Sequence, residues 1–239
     1  MTTGSEEFNF FELTLFEGAN NWKAYLQNRL NPFLKGRVLE VGAGIGGTTA
    51  AIYNNNVKEW VCLEPCPNLF KQLSEKVKSI PKNNSIRPIC GVINDLPSAE
   101  KFDTILYIDV LEHIKDDHNE IAMAVSRLSQ NGHLIILSPA FMFLFSPFDS
   151  AVGHFRRYNK DDLRKQANIA GLEECYIHYL DSVGFFASLG NKLLLKNDSP
   201  GKMQIHIWDH YMVRLSRWID RLFGYSFGRS ILGVWQLKK

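Results

Sequence analysis

The chain's most chemically pointed feature is a carboxylate two residues ahead of a glycine run. Glu40 precedes Gly42, Gly44, Gly46 and Gly47 in VLEVGAGIGG, residues 38–47. Glycines let a backbone turn sharply and let a ligand lie against bare main chain. Two spacings are present at once. Gly42, Gly44 and Gly47 match a dinucleotide-binding fingerprint, whereas Gly42, Gly44 and Gly46 taken with Glu40 suggest another ligand class. A pyrophosphate beside the Glu40 carboxylate is unfavourable; a ligand bearing an ammonium or sulfonium is favoured.

S-adenosylmethionine carries both cationic groups. A second carboxylate, Glu64, closes EWVCLEP, roughly twenty residues beyond the glycines, where an acidic side chain accepts hydrogen bonds from ribose hydroxyls. Glu64 fits NAD and S-adenosylmethionine equally, so Glu40 decides between them.

Further along, VGHFRRYNKDDL (residues 152–163) holds the reactive side chains. His154 is the candidate general base, since histidine titrates near neutral pH. Arg156 and Arg157 present planar donor forks suited to an anionic acceptor such as a phosphate or carboxylate. The alternative is that all three pin the loop by bonding carbonyls and carboxylates. His113 in DVLEHI reads as a turn stabiliser, and the other histidines lack convincing ligand spacing. Group transfer to a hydroxyl or amine acceptor needs alignment and removal of a proton; no metal is required.

These residues need a frame. NWKAYLQNRLNPFLKG places Trp22, Tyr25, Leu26 and Leu30 at helical spacing, and Arg37 to Val41 reads as a short buried strand. Helices over IGGTTAAIYNN, NLFKQLSEKVKSI, DDHNEIAMAVSRLSQ and NKDDLRKQANIAG alternate with strands over EWVCLEP, SIRPIC, FDTILYIDV, HLIILSP and LEECYIHYL. Asn131-Gly132 reads as the stop of the third of these helices. Asn159 and Asp162 have cap and N3 spacing for the fourth. The alternation implies a doubly wound α/β fold with a mostly parallel sheet covered on both faces, binding ligands at the strands' carboxyl ends. Residues 181–228 break the rhythm as a helical insertion before SILGVWQLKK, the last strand. The insertion is expected to cover the sheet edge or the site mouth, within a single domain spanning 1–239. Its Trp208, Tyr211, Trp218 and Phe223, interleaved with Arg214, Arg217 and Arg221, read as an amphipathic helix over the core, with an acceptor pocket or peripheral membrane contact as alternatives.

The whole chain bounds the partners. At 239 residues, 45% hydrophobic and 22% charged, it is of ordinary globular composition, and its net charge of +2 argues against nucleic acid as the main partner. MTTGSEEFNFFEL is acidic and lacks a basic n-region followed by a long apolar core, so no signal peptide is expected. No apolar run is long enough to span a bilayer. Cys62, Cys66, Cys90 and Cys175 lack CxxC pairing; buried, inert thiols in a reducing cytoplasm are expected for all four.

Four stretches in order resemble the class I S-adenosylmethionine-dependent methyltransferases. VLEVGAGIGG resembles their first motif and VCLEP their second; LPSAEKFDTILYIDVLEHIKDD resembles the fourth strand and next helix, and NGHLIILSP the fifth strand. The resemblance covers about Trp22 to Leu180, and the final strand fits the family's antiparallel strand inserted near the sheet edge, giving seven strands. It implies that Glu40 anchors the cofactor's amino group directly or through water. Gly42, Gly44 and Gly46 would give the methionine part room, Glu64 would hold the ribose, and Asp109 would border the sulfonium. The family's acidic adenine contact falls at Gly91-Val92 here, and Asp95 lies slightly too far along, so that contact stays open. The GHFRRY loop and the C-terminal stretch resemble bacterial methyltransferases found near glycosyltransferases of cell-envelope pathways. That implies a small-molecule, lipid-linked or sugar-linked acceptor, methylated on oxygen before nitrogen. Kept open are an NAD-dependent oxidoreductase and a non-catalytic S-adenosylmethionine-binding protein. A tRNA or rRNA methyltransferase stands well behind, lacking a basic module and a PPY-like motif.

Overall fold

A computed structural model describes residues 13–81, 85–192 and 200–238. The first twelve residues of the acidic opening, and residues 193–199 of the insertion, lie outside them.

Seven strands form one sheet in the order β3-β2-β1-β4-β5-β7-β6. They are β1 Gly36–Val41, β2 Val57–Glu64, β3 Ile86–Cys90, β4 Phe102–Ile108, β5 Leu128–Pro139, β6 Leu172–Leu180 and β7 Ser230–Leu237. β1 to β5 pair in parallel, while β7 runs antiparallel to both neighbours, β5 and β6. The doubly wound α/β expectation therefore holds, with the last strand inside the sheet rather than at its rim.

Alternating side chains divide the core into two layers. Val38, Trp60, Cys62, Leu106 and Ile135 face one layer, packed with Trp22, Leu26 and Leu30 of helix α1, Asn20–Leu30. Leu39, Val61, Leu63, Ile105 and Ile136 face the other, packed with Ile121 of α4 and Leu163 of α6. The intervening helices are α2 Gly47–Ile52, α3 Pro67–Lys78, α4 Asp117–Ser126, α5 Pro147–Ala151 and α6 Lys160–Ile169. Asn159 caps α6 by accepting from the Asp161 and Asp162 amides, and Asp162 accepts from the Asn159 amide, so the cap spacing read in the sequence is realised.

The insertion supplies α7 Ser182–Gly190 and α8 Lys202–Ile207, then a π-helical turn Trp208–Met212 leading into α9 Val213–Leu222. Asp209 in that turn accepts from the main-chain amides of Asn21 and Trp22 at 3.1 and 2.9 Å, and from the Asn21 side chain. It thereby caps α1 from 187 residues away, since α1 has no side-chain cap of its own.

Three expectations are corrected. Helix α4 ends at Ser126, not at Asn131-Gly132. Leu128 already pairs with Phe102 and His133 with Thr104, and Asn131 takes a left-handed φ of 60° in the excursion between them. Of the four cysteines only Cys62 is buried: Cys66 is half-buried, and Cys90 and Cys175 are exposed, all as free thiols. In the aromatic set Trp208 is buried, but Tyr211, Trp218 and Phe223 are exposed and do not cover the core.

Candidate active site

The carboxyl ends of β1, β2, β4 and β5 open into a cavity of about 700 Å³. Strand periodicity puts Glu40 on the same face as Val38, and Trp60, Cys62 and Glu64 on that face of β2. Glu40 is 2% exposed. Its Oε2 accepts from Thr49 Oγ1 at 2.7 Å and Trp60 Nε1 at 2.9 Å. Burial pushes its pKa up to about 7, against the pull of those hydrogen bonds. Both anchors hold the same oxygen, and Oε1 accepts no hydrogen bond from the described residues, which leaves it for a ligand donor.

The backbone chooses between the two glycine spacings. Gly42, Gly44 and Gly46 have φ of 71°, 57° and 79°, a region that side chains disfavour, whereas Gly47 is not left-handed and opens α2. A Cβ on Gly42 would meet Val110 at 2.6 Å, one on Gly44 would meet Leu13 at 3.1 Å, and one on Gly46 would meet Leu73 at 2.9 Å. The expectation that these glycines make room for a ligand is thus incomplete. Protein side chains occupy the space beside them, and the turn's conformation is what demands glycine.

Glu64 clamps that turn. Its Oε2 accepts from the Gly44 amide and its Oε1 from the Cys66 amide, both at 2.9 Å. Burial raises its pKa while the two amides oppose the shift. Each oxygen retains a second lone pair. Asp109 has φ 54°, a strained value for a non-glycine residue, fixed by its amide donating to Leu137 O at 2.9 Å. Its side chain is exposed into the cavity. Enclosure by the protein pushes its pKa up to about 6, opposed by the charges of His154 and Arg229.

His154 also lines the cavity: its Nδ1 lies 2.9 Å from Asp149 Oδ1, its ring edge-on to His113 at 4.5 Å between centroids. Its Nε2 is 4.0 Å from Oε1 of the buried Glu112, whose Oε2 accepts from Ser138 Oγ. Asp149 also accepts two hydrogen bonds from Arg157, at 2.8 Å each, and two from Ser146. Burial opposes its ionisation, but the bonds from His154 and Arg157 outweigh this and hold it well below the usual carboxylate range.

The two arginines expected to hold an anionic acceptor are otherwise engaged. Arg157 lines the cavity with its fork spent on Asp149. Arg156 lies outside the lining, bound to Asp117 Oδ1 and Lys115 O at 2.7 Å each. Both follow the loop-pinning alternative: Asp117, distant in sequence, meets Arg156, and Asp149, eight residues earlier in the chain, meets Arg157. Asp95 turns back to accept from the Val92 amide at 2.8 Å and is absent from the lining, to which Gly91 and Val92 contribute. Sequence reasoning missed Asp149, whose only signal was its place five residues before His154, and Arg229, a single basic residue ahead of the last strand.

Comparisons with known proteins follow the geometry. A family model described as a methyltransferase domain matches residues 17–176. The nonribosomal peptide synthetase dtxS1 of Metarhizium robertsii is 24% identical over 171 residues, 69% of this chain, which spans about 2% of that protein's length. Among solved structures, N-methyltransferase NodS of Bradyrhizobium japonicum WM9, in complex with S-adenosyl-L-homocysteine, is 14% identical with a TM-score of 0.59, covering 93% of this chain and 89% of its own. An S-adenosylmethionine-dependent methyltransferase of Clostridium acetobutylicum is 13% identical with a TM-score of 0.58, covering 92% of each chain. A chain from the complex of the Haloferax volcanii Trm112 methyltransferase activator with a methyltransferase is 13% identical with a TM-score of 0.68, covering 99% of this chain and 98% of its own. At these identities the structures share the fold.

Proposed function

This chain belongs to the methyltransferase-domain family, and from that premise we propose that it methylates a hydroxyl oxygen of a small-molecule, lipid-linked or sugar-linked acceptor. It is an S-adenosylmethionine-dependent methyltransferase; the acceptor and the residue roles are our reading. The carrying observation is Glu40, a buried carboxylate with one oxygen anchored and the other unbonded, beside the left-handed Gly42 and Gly44 of the cavity lining, while Gly46, left-handed too, lies outside that lining. That arrangement suits an ammonium and rejects a pyrophosphate.

When bound, S-adenosylmethionine supplies a methyl group already activated by positive sulfur. Glu40 holds the ammonium, Glu64 accepts from the ribose hydroxyls with its remaining lone pairs, and Asp109 borders the sulfonium. Gly91 and Val92 face the adenine with main chain. His154 takes the acceptor's hydroxyl proton on Nε2, while Asp149 fixes the ring through Nδ1. Arg157 and Arg156 hold the loop that carries the histidine. Residues 181–228, within a single domain of 1–239, cover the acceptor end through Trp208.

Support for a lipid-linked member of the acceptor class comes from α9, whose Trp218 and Leu222 are 78% and 79% exposed beside Arg214, Arg217 and Arg221. No helix among the described residues is long and apolar enough to cross a membrane. The four free thiols agree with a cytoplasmic setting, and an envelope-glycan intermediate is the first acceptor to screen.

Calorimetric titration with S-adenosylhomocysteine, with NAD as control, tests the cofactor assignment. Binding of the first alone is expected. Binding of NAD alone would overturn the role of Glu40, and binding of neither would speak for a pocket that no longer takes the cofactor.

A further inference from the structure

Arg229 is a strongly basic group of the cavity lining that the roles above leave unused. Its guanidinium makes no hydrogen bond and no salt bridge among the described residues. Instead its Cζ lies over the Trp208 ring at 5.3 Å and the Phe16 ring at 5.9 Å from their centroids. We propose that Arg229, set against the faces of Trp208 and Phe16, binds an anionic group of the acceptor, a carboxylate or a phosphate. The proposal rests on the methyltransferase reading of this cavity.

The position is built. Asp181, 1% exposed and at φ 64°, fixes both partners: its carbonyl accepts from the Arg229 amide at 3.0 Å, and its Oδ2 accepts from Trp208 Nε1 at 2.7 Å. Its Oδ1 accepts from Ser216 Oγ and the Gly184 amide, so the carboxylate is committed to holding the scaffold. Arg229 O accepts from the Ala140 amide at 2.8 Å, and the preceding Gly228 lies so close to the Leu180 main chain that no Cβ would fit.

Charge points the same way. Enclosure lowers the pKa of Arg229, opposed by Asp181, Asp109 and Asp149, whose carboxylates make no bond to its guanidinium. Asp149 is saturated by His154 and Arg157. The guanidinium of Arg229, bonded by none of these carboxylates, offers an acceptor anion a planar fork matched to carboxylate or phosphate.

Placement separates acceptor from cofactor. Ser230, next in the chain, pairs with Pro139 at the end of β5, and Ala140 bridges Tyr158 in the His154 loop. The cofactor's own carboxylate has a nearer candidate in Lys23, whose Nζ lies 3.2 Å from where a Gly47 Cβ would stand, at the start of α2.

The test titrates protein saturated with S-adenosylhomocysteine with phenyl phosphate, benzoate and the neutral benzamide, in the wild type and in Arg229→Gln. The two anions are expected to bind the wild type, to lose about tenfold or more in Arg229→Gln, and to leave benzamide indifferent. Whichever anion binds more tightly identifies the acceptor's group. Affinity for S-adenosylhomocysteine should change by less than about threefold. Equal anion affinity in both proteins, or no anion binding by the wild type, overturns the proposal. So does a large loss of S-adenosylhomocysteine affinity in a folded Arg229→Gln, which would assign the guanidinium to the cofactor's carboxylate. Should that variant fail to fold, Arg229→Lys is expected to keep a reduced preference for anions over benzamide, and its complete loss overturns the idea. Failure of the wild type to bind S-adenosylhomocysteine at all fells the cofactor reading first, and the proposal with it.

Discussion

Glu40 titrates, by virtue of its burial, inside the range where an ammonium ligand can sense it. With its pKa near 7 in the empty site, the carboxylate must lose its proton to receive a cation. Affinity for S-adenosylhomocysteine should therefore rise with pH and level off above about 7, with protons released on binding below that point. Glu40→Gln should weaken binding tenfold or more, on the order of 1.4 kcal/mol, and remove the pH dependence. Stability runs the other way. A pKa raised from 4.5 stabilises the folded state in acid, and that contribution is lost as pH rises through about 7. Melting of ligand-free wild type should accordingly fall relative to Glu40→Gln across this window, by on the order of 1–3 kcal/mol. His154→Asn should lower turnover by about a hundredfold or more while leaving S-adenosylhomocysteine binding unchanged. A parallel loss in both would reduce His154 to a structural part. Glu40 was legible because strand period and glycine spacing are local. The fates of Arg156 and Arg157 were not, because Asp117 and Asp149 reach them only through the folded loop.

Among elements, the coupling of α1 to the insertion is the least visible in the sequence. Nothing near Ala19 supplies a cap, and the carboxylate that does so belongs to Asp209. Asp209→Ala should cost about 1–2 kcal/mol in thermal unfolding and speed amide exchange at Asn21 and Trp22. An unchanged exchange rate at those amides would mean that water replaces the cap at no loss. The α6 cap, by contrast, was readable from Asn159 and Asp162 because both partners lie within one turn. The stop of α4 was misread for the opposite reason: Asn131 does adopt a left-handed geometry, but it does so within β5, and Gly132 does not share it.

At the scale of the molecule, the alternation of strand and helix patterns sufficed for the layered sheet, since each face buries its own set of side chains. The exposed aromatic face of α9 was not legible, because helical spacing reports a stripe and not what covers it. A saturating ligand should stabilise the whole fold by linkage: S-adenosylhomocysteine at a hundred times its Kd is expected to add about 2.7 kcal/mol.

The position of β7 between β5 and the edge strand β6 also orders events in time. β6 joins the sheet only through β7, and β7 is the last strand in the sequence. During synthesis, β1 to β5 can pair as they emerge, but β6 must wait beside a gap until Ser230–Leu237 slides between it and β5. Asp181 and Arg229 meet in that same step. If Arg229 has the acceptor role proposed for it, that role is completed only when the sheet itself closes, well after the glycine turn can be in place.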